Sequence, residues 1–81
     1  MLQPSVTGVS VMENYRLLVT YATGERRLFD VKPYLQGDWF SELRDVNVFN
    51  AVKVEGLSVA WPDGQDIAPH ELYELSVPFE A

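Results

Sequence analysis

The sequence predicts an α+β fold: one small domain of antiparallel strands closed by short helices. Three observations predict it. Apolar residues alternate with period two in several short runs, each ended by Gly, Pro, Asn or Asp. The stretches compatible with helix are short, and two of them open at prolines, Pro33 and Pro69. The same order of strands, turn and proline also occurs twice, over residues 6–36 and 51–75, which reads as a duplicated βββα unit.

In the first half, Val9 and Val11 mark one strand within Val6–Val11, and Leu17, Val19 and Tyr21 mark a second after a turn at Glu13-Asn14. Gly24 suits the next turn, because glycine adopts positive φ without steric cost, and Arg26 to Val31 form the third strand. Pro33 then opens a short helix containing Tyr34 and Leu35 and ending near Gly37. Trp39, Phe40 and Leu43 follow at helical spacing, and Asp45 is the expected N-cap of a further turn holding Val48 and Phe49.

The second half repeats the plan. Val52 and Val54 lead to a turn at Glu55-Gly56, and Leu57, Val59 and Trp61 alternate along the next strand and are expected to point inward. Pro62-Asp63-Gly64 turns the chain, Asp66-Ile67 extends briefly, and Pro69 opens a helix through Leu72 and Tyr73. Setting Gly24 on Gly64 places Leu17 on Leu57, Val19 on Val59 and Tyr21 on Trp61. With a shortened following strand, Asp30 falls on Asp66, Val31 on Ile67 and Pro33 on Pro69. Leu18 then faces away from the core. The whole chain, 1–81, is read as one domain, with 76–81 as a tail that Phe79 could pin.

Composition narrows the function. A hydrophobic fraction of 47% that includes two Trp, four Tyr and four Phe supplies a globular core. A net charge of −6, with Arg16, Arg26, Arg27, Lys32, Arg44 and Lys53 scattered, disfavours direct binding to nucleic acid, whose phosphates require a basic surface. The lack of cysteine removes thiolate chemistry and points to a reducing cytoplasm. Neither a signal peptide nor a membrane-spanning apolar run is legible. The serines sit in no GxSxG elbow and the glycines form no phosphate-binding loop, so the chain is expected not to be an enzyme and to need no cofactor.

The residues that stand out are Asp30, Trp61, Asp63, Asp66, His70 and Tyr73. Asp63, Asp66 and His70, with Glu71 and Glu74 nearby, have the composition of a carboxylate and imidazole metal site without its usual spacing. The structural reading puts Asp63 in a turn and Glu71 and Glu74 near a helix N-terminus. Asp30 and Asp66 each stand three residues before a helix-opening proline, where a carboxylate accepts backbone N–H groups. Trp39, Trp61, Tyr73, Phe40 and Phe49 read as core.

Nearly the whole chain resembles the bacterial domain of unknown function family 2442. The resemblance is carried by Phe29-Asp30-Val31 with Pro33-Tyr34-Leu35, by Phe40 to Leu43 with Asp45 and Phe49, and by Trp61-Pro62-Asp63-Gly64 with Asp66-Ile67, Pro69 and Leu72-Tyr73-Glu74. It implies an α+β fold and an uncharacterised, regulatory or antitoxin-like role, and it carries over no catalytic residues. Some related proteins add a helix-turn-helix domain; with eight residues after Tyr73, none is expected here. Ala68 departs from the pattern, since such sequences often have Ser or Asp as the cap before Pro69.

The leading expectation is thus a non-enzymatic module that binds a protein partner through a strand edge or an acidic face, a homodimer being compatible with exposed edges. The alternative is a small-molecule or metal-binding protein using Asp63, Asp66 and His70.

Overall fold

A computed structural model of the chain describes residues 3–38 and 40–79. Strands β1 (Val6–Met12), β2 (Arg16–Tyr21) and β3 (Arg26–Asp30) form an antiparallel meander, as their alternation predicts. Two 3-10 helices, Lys32–Gln36 and Ser41–Arg44, and the short helix α1 (Val46–Phe49) lead to the hairpin β4 (Lys53–Glu55) and β5 (Ser58–Ala60). Helix α2 (Pro69–Leu75) and strand β6 (Val77–Pro78) follow. The larger sheet has the order β1-β2-β3-β6, and β4-β5 stand as a separate pair. The α+β class is therefore the observed one. Trp39, expected beside Phe40 and Leu43, lies outside the described residues, as do Glu80 and Ala81 of the expected tail.

Cross-strand register decides which side chains share the core. Leu17 lies opposite Phe29 and Val19 opposite Val9, and all but the half-buried Val9 are fully buried together with Tyr21. Against them pack Leu35 and Leu43 from the 3-10 helices, Phe49 from α1, Val59 from β5, and Leu72 from α2. Leu18 falls on the opposite face, half-buried, paired with Ser10 and Leu28. Asp45 is the N-cap of α1 and accepts the Asn47 N–H at 2.9 Å, which satisfies a donor the helix itself leaves unpaired.

The duplication survives at its turns and not as a repeated unit. Tyr21 N–H donates to the Glu25 carbonyl at 2.9 Å and Gly24 N–H to Tyr21 at 2.8 Å; Trp61 N–H donates to Gln65 at 2.8 Å and Gly64 N–H to Trp61 at 2.9 Å. Gly24 and Gly64 hold φ of 89° and 100°, a region closed to most side chains. Elsewhere the halves diverge. The third strand of the second half is reduced to a single bridge, Ala60 to Asp66, so two equal three-stranded layers do not form.

Two further expectations are corrected. Leu57 is 51% exposed, because it belongs to the β4-β5 turn with Gly56 at φ 60° and not to the strand. Both sides of β5 are buried instead: Ser58 is accommodated by donating its hydroxyl to the Ile67 carbonyl at 2.6 Å. The C-terminal segment is not a loose tail, since Leu28 pairs with Val77 and Arg27 with Pro78. Phe79 does pin it, donating its N–H to the Arg26 carbonyl at 3.0 Å and lying under the Arg26 guanidinium at 5.3 Å.

Trp61 joins these parts. It is 1% exposed, its indole N–H donates to the Phe49 carbonyl at 2.9 Å, and its ring packs against Phe49 at 6.0 Å and Phe40 at 6.4 Å. Trp61→Phe keeps an aromatic ring but removes the indole donor, leaving the Phe49 carbonyl with the Val52 N–H at 3.3 Å. The lost hydrogen bond should cost about 0.5–1.5 kcal/mol, read from urea unfolding followed by circular dichroism.

Candidate functional site

A cleft of about 370 Å³ opens where β3 runs into the first 3-10 helix and α2 crosses beside them. Phe29, Asp30, Pro33, Tyr34, Glu71 and Leu75 line it. The local sequence explains each placement. Pro33 enters the 3-10 helix near its start, where a missing N–H costs nothing. Asp30 ends β3 and its Oδ1 accepts the Lys32 N–H at 2.9 Å, so the expected helix-opening acceptor is found here. The Lys32 ammonium lies 3.1 Å from the same oxygen, an exposed pair worth little by itself.

Tyr34 and Glu71 close the cleft from opposite sides, the Tyr34 hydroxyl donating to Glu71 Oε2. The Tyr34 ring stands between Phe29, at 5.7 Å, and Phe40, at 5.4 Å, which fixes its orientation. Leu75, at the end of α2, is 63% exposed. The cleft therefore combines two carboxylates, one phenol and apolar walls. Such a lining attracts cationic and apolar groups together.

Of the six residues singled out in the sequence, only Asp30 lines this cleft. Asp63, Asp66 and His70 are all exposed, and among the described residues no three His, Asp or Glu side chains gather as a metal-holding group. Asp66 pairs with Ala60 in an isolated bridge whose hydrogen bonds are made by its neighbours, the Trp61 N–H donating to Gln65 and the Ile67 N–H to Val59. The N-cap of α2 is Ala68, with no side-chain cap hydrogen bond, and none of the side-chain hydrogen bonds among the described residues brings Asp66 to that helix. Asp63 lies against Glu42. Its hydrogen bond and negative charge hold the Glu42 carboxyl above the ordinary carboxylate range.

Tyr73 belongs to a polar clamp beneath α2. Its hydroxyl donates to Glu25 at 2.9 Å, and the Arg27 guanidinium lies over its ring at 4.5 Å. Arg27 donates to Glu25 at 2.7 Å, to the Ser76 hydroxyl at 2.6 Å and to the Ser76 carbonyl at 2.7 Å. The hydrogen bond from Arg27, and then that from Tyr73, holds Glu25 below its ordinary pKa, while the bond to Glu25 raises Tyr73. Tyr21, edge-on to Tyr73 at 5.2 Å, is pushed up to about 12, first by its burial.

Sequence reading missed Tyr34, Leu75, Glu25 and Arg27 as site or supporting residues. Tyr34 had a signal, since it stands one residue after a helix-opening proline as His70 does, and Glu71 was noted but assigned to the helix dipole. Arg27 had none: its role comes from a register that sets it opposite Val19 and Pro78.

The fold and cleft define a small α+β domain with an acidic, apolar-walled surface site. The chain belongs to the family described as Protein of unknown function (DUF2442), whose model matches residues 6–78. A search of curated proteins and one of solved structures find no significant match.

The two perturbed carboxyls respond oppositely to acid. Glu25 has a folded pKa below its ordinary 4.5, so it contributes stability above that value and loses it as the pH falls through the folded pKa. Glu42 has a folded pKa above its ordinary 4.5, so its cost to stability is absent at low pH and fully present above the raised value. Thermal melts should show Glu25→Gln destabilising at pH 7, with the difference from wild type shrinking as the pH falls through the lowered folded pKa of Glu25. Asp63→Asn should instead raise the midpoint at pH 7 and have no effect at acid pH.

Proposed function

We propose that the chain is a non-enzymatic, regulatory interaction module of the antitoxin-like kind, working in the bacterial cytoplasm and docking a protein partner at the cleft between Tyr34 and Leu75. The observation that carries this reading is the exposure of Leu75, 63%, on the rim of a cleft walled by Phe29 and Pro33. Val77 on β6, two residues further along, is 57% exposed. Exposed apolar side chains beside a cleft in so small a domain favour association, since covering them removes apolar surface from water at about 25 cal/mol per Å².

Charge supports a protein partner over nucleic acid. Asp30 and Glu71 line the cleft and the chain carries a net −6, which repels phosphate and steers basic surfaces inward. Among the described residues no helix is long and apolar enough to cross a membrane. A homodimer is the second form this association can take, with the same rim as its centre.

The test is affinity capture from a bacterial lysate with wild type and Leu75→Gln, a change of similar size at an exposed helix position. The variant should keep its thermal midpoint within a few degrees and recover at least about tenfold less of the protein that wild type enriches, a loss of about 1.4 kcal/mol. Equal recovery by both would remove the cleft from the function. Sedimentation of the two purified proteins separates self-association from a different partner.

A further inference from the structure

We infer that the cleft receives an arginine side chain presented by the partner protein; this rests on the interaction-module reading above. An arginine has an apolar stem and a planar, fork-like cation that is matched by carboxylates and by aromatic faces. The cleft supplies surfaces for both parts. Pro33 and Leu75 offer apolar walls, the Phe29 and Tyr34 rings stand 5.7 Å apart at an interplanar angle of 40°, and Asp30 and Glu71 bring negative charge.

The two carboxylates are each held by one oxygen. At Asp30 both the Lys32 N–H and the Lys32 ammonium fall on Oδ1. At Glu71 the Tyr34 hydroxyl falls on Oε2. Among the described residues, the other oxygen of each group, Oδ2 and Oε1, accepts no hydrogen bond. A carboxylate oriented through one oxygen and open at the other is prepared to accept a charge-assisted donor without first being ordered.

The geometry favours guanidinium over ammonium. A compact, strongly hydrated ammonium gains from the charge alone, whereas a more weakly hydrated guanidinium also tolerates the apolar walls and reaches separate carboxylates with its several N–H groups. Lys32 already offsets part of the Asp30 charge, so Glu71 contributes most to recognition and Asp30 assists. Phosphate and carboxylate ligands meet two like charges here and are disfavoured.

The test uses the full chain, immobilised, with three pools of short peptides randomised around one fixed central residue: arginine, its neutral isostere citrulline, or lysine. The arginine pool should be retained at least about tenfold better than the citrulline pool, with the preference lost in Glu71→Gln and reduced in Asp30→Asn, whose side-chain oxygen can still accept the Lys32 N–H. A lysine pool should fall between the two. Thermal melts establish that each variant is folded, and the retained peptides should shift the Tyr34 and Leu75 NMR resonances. Equal retention of the arginine and citrulline pools, an unchanged preference in folded Glu71→Gln, or shifts confined to another surface would overturn the inference. If the pools show no arginine preference while Leu75→Gln still loses the captured partner, the arginine assignment fails and the interaction-module reading stands. If arginine is preferred but capture ignores Leu75, the failure lies with that reading instead.

Discussion

Arg27 ties the C-terminal part of the chain to the sheet, and with it the α2 wall of the cleft. Its guanidinium bridges Glu25 on one side and both the hydroxyl and carbonyl of Ser76 on the other, while its face covers the Tyr73 ring. A cation this buried, with 14% of its side chain exposed, is tolerable only when paired and hydrogen-bonded. Here it meets that demand at the end of α2 and the start of β6. The two-residue strand β6 is too short to be stable by its ladder alone. The clamp, Leu72 in the core and Phe79 beyond together keep α2 in place, so that Glu71 reaches Tyr34 and Leu75 lines the cleft with Pro33.

The features legible in the sequence are those set by local chemistry. The meander followed from alternation, and Asp45 was readable as a cap because an acceptor at that position satisfies a donor two residues on. The paired turns at Gly24 and Gly64 were readable because positive φ strongly selects glycine. The alternation argument failed at Leu57 for a related reason: a residue in a two-residue turn no longer obeys the strand's period. It could not have revealed Tyr15, which sits at φ 58° without being glycine. That conformation is held from outside, by the Val31 N–H on its carbonyl at 2.9 Å, the Phe49 ring at 5.1 Å and the Arg44 carbonyl that accepts its hydroxyl.

The acidic stretch around Asp63, Asp66 and His70 shows how sequence proximity misleads about sites. A dozen residues rich in ligand-type side chains pass through a turn, a bridge and a helix, and each element sends its side chains in its own direction. The result is one carboxyl pair with Glu42 and two exposed groups, not a shared pocket. The residues that do share a cleft come from β3, a 3-10 helix and α2, separated by some forty positions. Asp30 and Glu71 stand out in the sequence for helix-end roles, which do not bring them together.

By itself the sequence determined the α+β class, the strand order of the first half, the helix-opening prolines, the turn glycines and the place of Trp61 in the core, because each depends on propensity, steric exclusion or periodic burial within a short window. Only the tertiary structure decided that Val77–Pro78 would extend the sheet, that Leu57 would be exposed, that Arg27 would clamp α2, and that Tyr34 and Glu71 would face each other across a cleft. Those outcomes depend on register and on contacts between distant segments. Register is fixed by the whole buried face at once, and no local pattern in the chain encodes it.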